Sequence, residues 1–170
     1  MPQQEYGYTQ AFLAQRDAQR KFDYYFLGVT LALLTLSIQT FNASIATKHV
    51  QLMIFTWLAL LISFLSGLYR QEMNSLFFKN EAIRMQYEPK LESLRKIVEK
   101  GEALFDSSMK PWSLEDISKE INTLRSIVDS ASSRQDKYNT RANIAYGIHK
   151  WFFVLAILSF VLYKVVNCLP

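Results

Sequence analysis

Polar side chains stranded inside long apolar runs are the first chemistry this sequence offers. Thr35, Gln39 and Asn42 recur with Gly28 at helical spacing inside an uncharged run from Tyr24 to Thr47. An amide facing lipid gives up its water partners and gains none. Gln39 and Asn42 therefore predict a face turned toward protein or water. Two uses fit such a face: hydrogen bonding between helices of one bundle, or lining a polar path where several copies meet. A second pattern, Ala59, Ser63 and Gly67, is an i, i+4, i+8 ridge of small residues. It permits close backbone approach and predicts helix packing.

Other chemistry finds no footing. There is no Gly-rich phosphate loop and no metal-binding histidine motif. The single thiol, Cys168, excludes an intramolecular disulfide, and no Cys/His cluster has zinc spacing. Ser107 and Ser108 have no base nearby in sequence, and the spacing of Arg141 and His149 is too long for a helical nuclease motif. The sequence thus predicts no catalytic residue, no cofactor and no metal, and a protein that is not an enzyme. Charges of both signs alternate along Glu92, Arg95, Lys96, Glu99 and Lys100. This is a solvated helix surface with i,i+4 pairs and gives no one-signed patch for nucleic acid.

The elements that must carry these residues are all α. Residues 1–23 read as a soluble N-terminal segment with a short amphipathic helix around Phe12, Leu13, Arg16, Arg20 and Phe22. Residues 24–69 read as a transmembrane hairpin: Tyr24 to Thr47 and Val50 to Tyr69 are uncharged, separated by Lys48 and His49. Each is long enough for roughly 30 Å of hydrocarbon. Residues 151–170 read as a third span with an outer tail, in which Lys164 can snorkel to the interface. Arg16, Arg20, Lys21 and most of the other cations, between Arg70 and Lys150, lie on one side. The positive-inside rule places the N-terminus and residues 70–150 in the cytoplasm and the C-terminus in the periplasm or outside. Arg141, His149 and Lys150 would then meet lipid headgroups.

Residues 70–150 carry a 3,4 apolar rhythm. Leu114, Ile117, Ile121, Leu124, Val128, Ala131, Gln135, Tyr138, Ala142 and Ala145 form an a/d seam that runs toward the third span. Tyr87, Leu91, Leu94, Val98, Gly101 and Phe105 repeat the rhythm on the preceding stretch, where Pro89 should kink or interrupt the helix. Ser113 and Asp116 resemble a capping box after a turn containing Pro111. Two arms of about 50–57 Å at 1.5 Å per residue predict a cytoplasmic antiparallel helical hairpin, continuous with the second and third spans. Gln135, polar on the seam, is a candidate for setting register.

A basic N-terminal helix (Arg16, Arg20, Lys21), a tight two-span hairpin and a charged helix leaving the second span resemble the SLATT-type small membrane effectors of prokaryotic defence systems. The resemblance covers roughly residues 10–105 and is one of layout; the third span departs from it. It implies a bacterial inner-membrane effector that permeabilises or depolarises the membrane, in antiviral defence. The polar face, the small-residue ridge and the continuous helices lead to the same expectation: a homo-oligomer gated through the cytoplasmic hairpin. The alternative is a membrane anchor or scaffold. Expected partners are membrane lipids, further copies of the chain and a soluble cytoplasmic protein, without direct binding of nucleic acid.

Overall fold

In the computed structural model the described residues are 2–41, 50–101 and 111–168. They form three helices: α1 (Pro2–Gln39), α2 (Val50–Lys100) and α3 (Leu114–Cys168). No strand occurs among the described residues. All three helices are long and apolar enough to cross a membrane. Asn42, Lys48, His49, Phe105, Ser107 and Ser108 lie outside the described residues.

The N-terminal basic segment and the first apolar run form one helix, where the sequence suggests a separate short one. Good helix formers such as Ala18, Gln19, Arg20 and Lys21 bridge the change from polar to apolar, and no Gly or Pro interrupts between Tyr8 and Leu27. α2 likewise continues through Pro89. Proline deprives the Met85 carbonyl of its helical donor, but Pro89 and Met85 both lie exposed, where water can take that acceptor. Gly101, which spacing puts on the seam, instead ends α2: it has φ +67° and its N–H reaches the Val98 carbonyl at 3.1 Å. A side chain there would be strained, so glycine is the fitting terminator. α3 opens with a reciprocal cap. The Asp116 N–H donates to Ser113 Oγ at 3.1 Å, and the Ser113 N–H donates to Asp116 Oδ2 at 3.3 Å.

The chain divides into two compact units, Met1–Glu72 with Ala142–Pro170, and Met73–Arg141. In the second, Leu91, Leu124 and Val128 form the core, with Tyr87, Leu94 and Ile121 against it. Ala131 and Ile117 are buried in line with them. Gln135 is the polar member of this seam: Arg84 Nη1 donates to its Oε1 at 3.0 Å, and its amide donates to Glu81. Both polar ends of Gln135 are thus met, so any slip of α3 past α2 would break two charge-assisted bonds. Tyr138 is half-buried, while Leu114 is 81% exposed and stands off the seam at the cap.

The first unit is inverted relative to a water-soluble core. Leu31, Leu36, Ile54, Leu58, Leu65, Leu155, Leu158 and Leu162 are exposed, while Thr30, Ser37, Thr56, Ser63, Ser159 and His149 are buried. Water would drive the opposite sorting. Lipid removes the penalty on outward apolar groups and makes outward polar groups costly. Inside, Ala59, Leu60 and Ala156 form a small-residue core against Leu33, Leu34, Phe152 and Phe153.

Leu124→Ala should lower the stability of the second unit by about 2–4 kcal/mol, since a buried leucine leaves a cavity. Hydrogen exchange of the α2 and α3 amides between 80 and 135 would register the loss, with amides of the first unit changing less.

Candidate functional site: a buried polar junction

Three seven-residue steps organise the interior of the first unit. Asp23, Thr30 and Ser37 lie on α1, Thr56, Ser63 and Arg70 on α2, and His149, Ala156 and Tyr163 on α3. Eight of the nine are buried, and Arg70 is half-buried. A repeat of seven residues is the a- or d-spacing of a coiled-coil seam, so within 23–37, 56–70 and 149–163 each helix turns this stripe inward. Most of these hydroxyls are satisfied locally. Thr30 donates to the Phe26 carbonyl at 2.8 Å, Thr56 to that of Leu52 at 2.8 Å and Ser37 to that of Leu34 at 2.7 Å. Trp57 Nε1 adds a bond to Ser37 Oγ at 3.1 Å.

Charged and polar groups concentrate at one end of these stripes. Arg70 Nη1 pairs with Asp23 Oδ1 at 2.7 Å, the two side chains being 12% and 6% exposed. The Arg70 guanidinium also lies 4.1 Å from the Tyr146 ring centroid, so a carboxylate and a π face compensate one cation. Next to this pair, His149 is 2% exposed. Its Nδ1 lies 2.6 Å from the Ser63 carbonyl, and Ser63 Oγ donates to the His149 carbonyl at 2.9 Å. A carbonyl only accepts, so the geometry assigns the proton to Nδ1. Phe26 closes the layer, with its ring 4.1 Å from that of His149 and 4.8 Å from that of Phe153.

Gly67 makes this layer possible. A Cβ there would lie 2.6 Å from Leu27 Cδ2 and 3.2 Å from His149 Cε1 and Nδ1. The absent side chain is the notch that admits side chains from both neighbouring helices. The small ridge of Ala59, Ser63 and Gly67 is buried along its length. Ser63 has a further part in it, as the hydrogen-bonding partner of α3.

The other sequence candidates are placed differently. Thr35 and Gln39 are exposed on α1, on the side away from Asp23, Thr30 and Ser37; the Thr35 hydroxyl donates to the Leu31 carbonyl at 3.0 Å. Asn42 lies outside the described residues. His149, expected among lipid headgroups with Arg141 and Lys150, is buried against Ser63, whereas Arg141 and Lys150 are exposed. Asp23, Thr30, Arg70 and Tyr146 were not singled out by sequence. The signal was present in the matched seven-residue spacing of 23–30–37 and 56–63–70, which a search for isolated polar faces passes over. Among the described residues no group of three His, Cys, Asp or Glu is placed to hold a metal ion.

No protein-family model, curated protein or solved structure matches this chain. The geometry itself defines the class: an all-helical protein with three helices long and apolar enough to cross a membrane, and a polar junction between them at one end.

Two substitutions probe the junction. Asp23→Asn should destabilise the first unit by about 3–5 kcal/mol, because it leaves the Arg70 charge buried without its counter-charge. Gly67→Ala should cost about 1–3 kcal/mol by overpacking. Thermal unfolding in detergent would read both losses, and a melting curve equal to that of the parent would contradict the tight fit described.

Proposed function

We propose that the chain is a bacterial inner-membrane effector that oligomerises and permeabilises or depolarises the membrane, acting in antiviral defence. In this reading its α2–α3 segment 70–150 is a cytoplasmic hairpin that gates the membrane part. The observation that carries the reading is the unequal sorting of polar groups on α1. One polar stripe, Asp23, Thr30 and Ser37, is buried within the unit. The other, Thr35 and Gln39, is exposed on a stretch, 29–39, whose remaining outward residues, such as Val29, Leu31 and Leu36, are apolar.

A glutamine amide held against lipid is costly, and a symmetric set of copies resolves the cost by turning Gln39 toward a shared axis. The bundle interior offers no competing path, since Met53, Ala59 and Ala156 fill it. Conduction therefore requires several copies, with α1 of each facing the axis. The positive charges assign the N-terminus and segment 70–150 to the cytoplasm. α2 and α3 run without a break from that segment into the spans, which supports mechanical gating. The role is non-catalytic.

A scaffold is the second reading. It is favoured by an open groove in the second unit lined by Pro89, Lys90, Ser93, Leu94, Trp112 and Glu120, which suits a soluble protein partner.

Expression in a bacterial host with a potential-sensitive dye tests the first reading. Under the triggering condition the parent should depolarise the cells, and Gln39→Leu combined with Asn42→Leu should abolish the effect. A monomer in detergent, or unchanged potential under trigger, would overturn it. A stoichiometric soluble partner with no conductance would establish the scaffold instead.

A further inference from the structure

We propose that the Asp23–Arg70–His149 junction is a conformational latch that holds α1 against α2 and α3, and that its release turns the stripe of Asp23, Thr30 and Ser37 out of the bundle. This inference builds on the gated-effector reading and names the contact that keeps the resting state closed.

Three residues of α1 within five positions anchor it at the junction, each on a different feature, while Leu33, Leu34 and Ser37 pack farther along the helix. Asp23 meets Arg70, Phe26 meets His149 and Phe153, and Leu27 fills the notch at Gly67. α2 and α3 are joined to each other independently, through Ser63 and His149 and through the bond from Ser159 Oγ to the Leu52 carbonyl at 3.0 Å. Losing α1 therefore leaves the α2–α3 contact intact.

The chemistry of the contact suits a latch better than a permanent weld. A buried ion pair gives little net stability over well-packed apolar groups, because both ions surrender their hydration. Once water reaches Asp23 and Arg70, that hydration returns and offsets the lost attraction. The stripe that would be turned out is prepared for the move. Thr30 and Ser37 donate to carbonyls of their own helix, so leaving the bundle strands neither donor. The position is also suited to control. α2 and α3 pass between the two compact units next to Glu72 and Ala142, within a turn of Arg70 and Tyr146.

The test uses the full-length protein in membranes, with Cys168→Ser to remove the native thiol. One cysteine pair, Leu34→Cys with Leu60→Cys, reports the α1–α2 contact from outside the latch residues. A second, Leu91→Cys with Val128→Cys, reports the other unit. In the otherwise parental chain both pairs should be joined by a short bifunctional thiol reagent. Asp23→Asn should cut the 34–60 yield roughly tenfold while 91–128 stays unchanged, as expected for local opening. Charge exchange, Asp23→Arg with Arg70→Asp, should restore it. An unaffected 34–60 yield overturns the latch, and so does failure of charge exchange to restore a lost one.

Should Asp23→Asn lose both crosslinks, the milder Arg70→Lys decides. Selective loss of 34–60 supports the latch, whereas parental crosslinking or loss of both pairs overturns it. Membrane potential recorded on the same cells separates the two proposals. If the crosslink responds as expected but the potential never changes, the latch stands and the permeabilising function falls.

Discussion

Hydrocarbon offers no hydrogen bonds, and the first unit of this protein is arranged around that constraint. A polar side chain in a span must find a partner in its own helix, in a neighbouring helix or in another molecule. Thr30, Thr56 and Ser37 take the first course, and Ser63, His149 and Ser159 the second. The Asp23–Arg70 pair is the extreme case, in which two charges at the end of the spans neutralise each other. Apolar side chains face outward in number, and polar and small groups share the interior with a few large apolar ones, Leu27, Met53 and Leu60. The notch at Gly67, the small core of Ala59 and Ala156 and the exposed leucines all follow from that allocation.

The second unit obeys ordinary aqueous rules. Leu91, Leu124 and Val128 are inside, and alternating charges such as Glu92, Arg95 and Lys96 are outside. The same two helices serve both solvents by changing which residue types occupy their stripes. In α2 one seven-residue series, Ala59, Ser66, Met73, Asn80, Tyr87 and Leu94, is buried or half-buried throughout while its chemistry passes from small to large. Spacing fixes which positions are inside, and side-chain type reflects the surrounding solvent.

Features that depend on local pattern were legible in the sequence. Helix type, the Ser113–Asp116 cap, the small ridge and the seam from Ile117 to Val128 all come from residues within a turn or two of each other. The unread features depend on partners distant in sequence. His149 looks like an interfacial cation until Ser63 is brought opposite, and Arg70 looks like a positive-inside marker until Asp23 is. Pro89 and Gly101 show the complementary case: α2 is not interrupted at the proline and ends at the glycine. Exposure lets α2 carry a proline, and a positive φ makes the glycine a stop, and neither condition is visible in a spacing rule.

The seam of α3 has one last consequence. Ile117, Ile121, Leu124, Val128, Ala131, Gln135, Tyr138, Ala142, Ala145, His149, Phe152, Ala156, Ser159 and Tyr163 alternate steps of three and four, and every one is buried or half-buried. Adding or deleting a single residue between Gln135 and His149 would turn everything beyond it by about 100° around the helix axis, carrying the imidazole away from Ser63. Adding seven restores the phase to within about 20°. The length of this helix is therefore quantised and tied to its neighbour: seven residues also add about 10.5 Å of rise, so Gln135 and His149 keep their partners on α2 only if α2 gains or loses the same seven between Ser63 and Glu81.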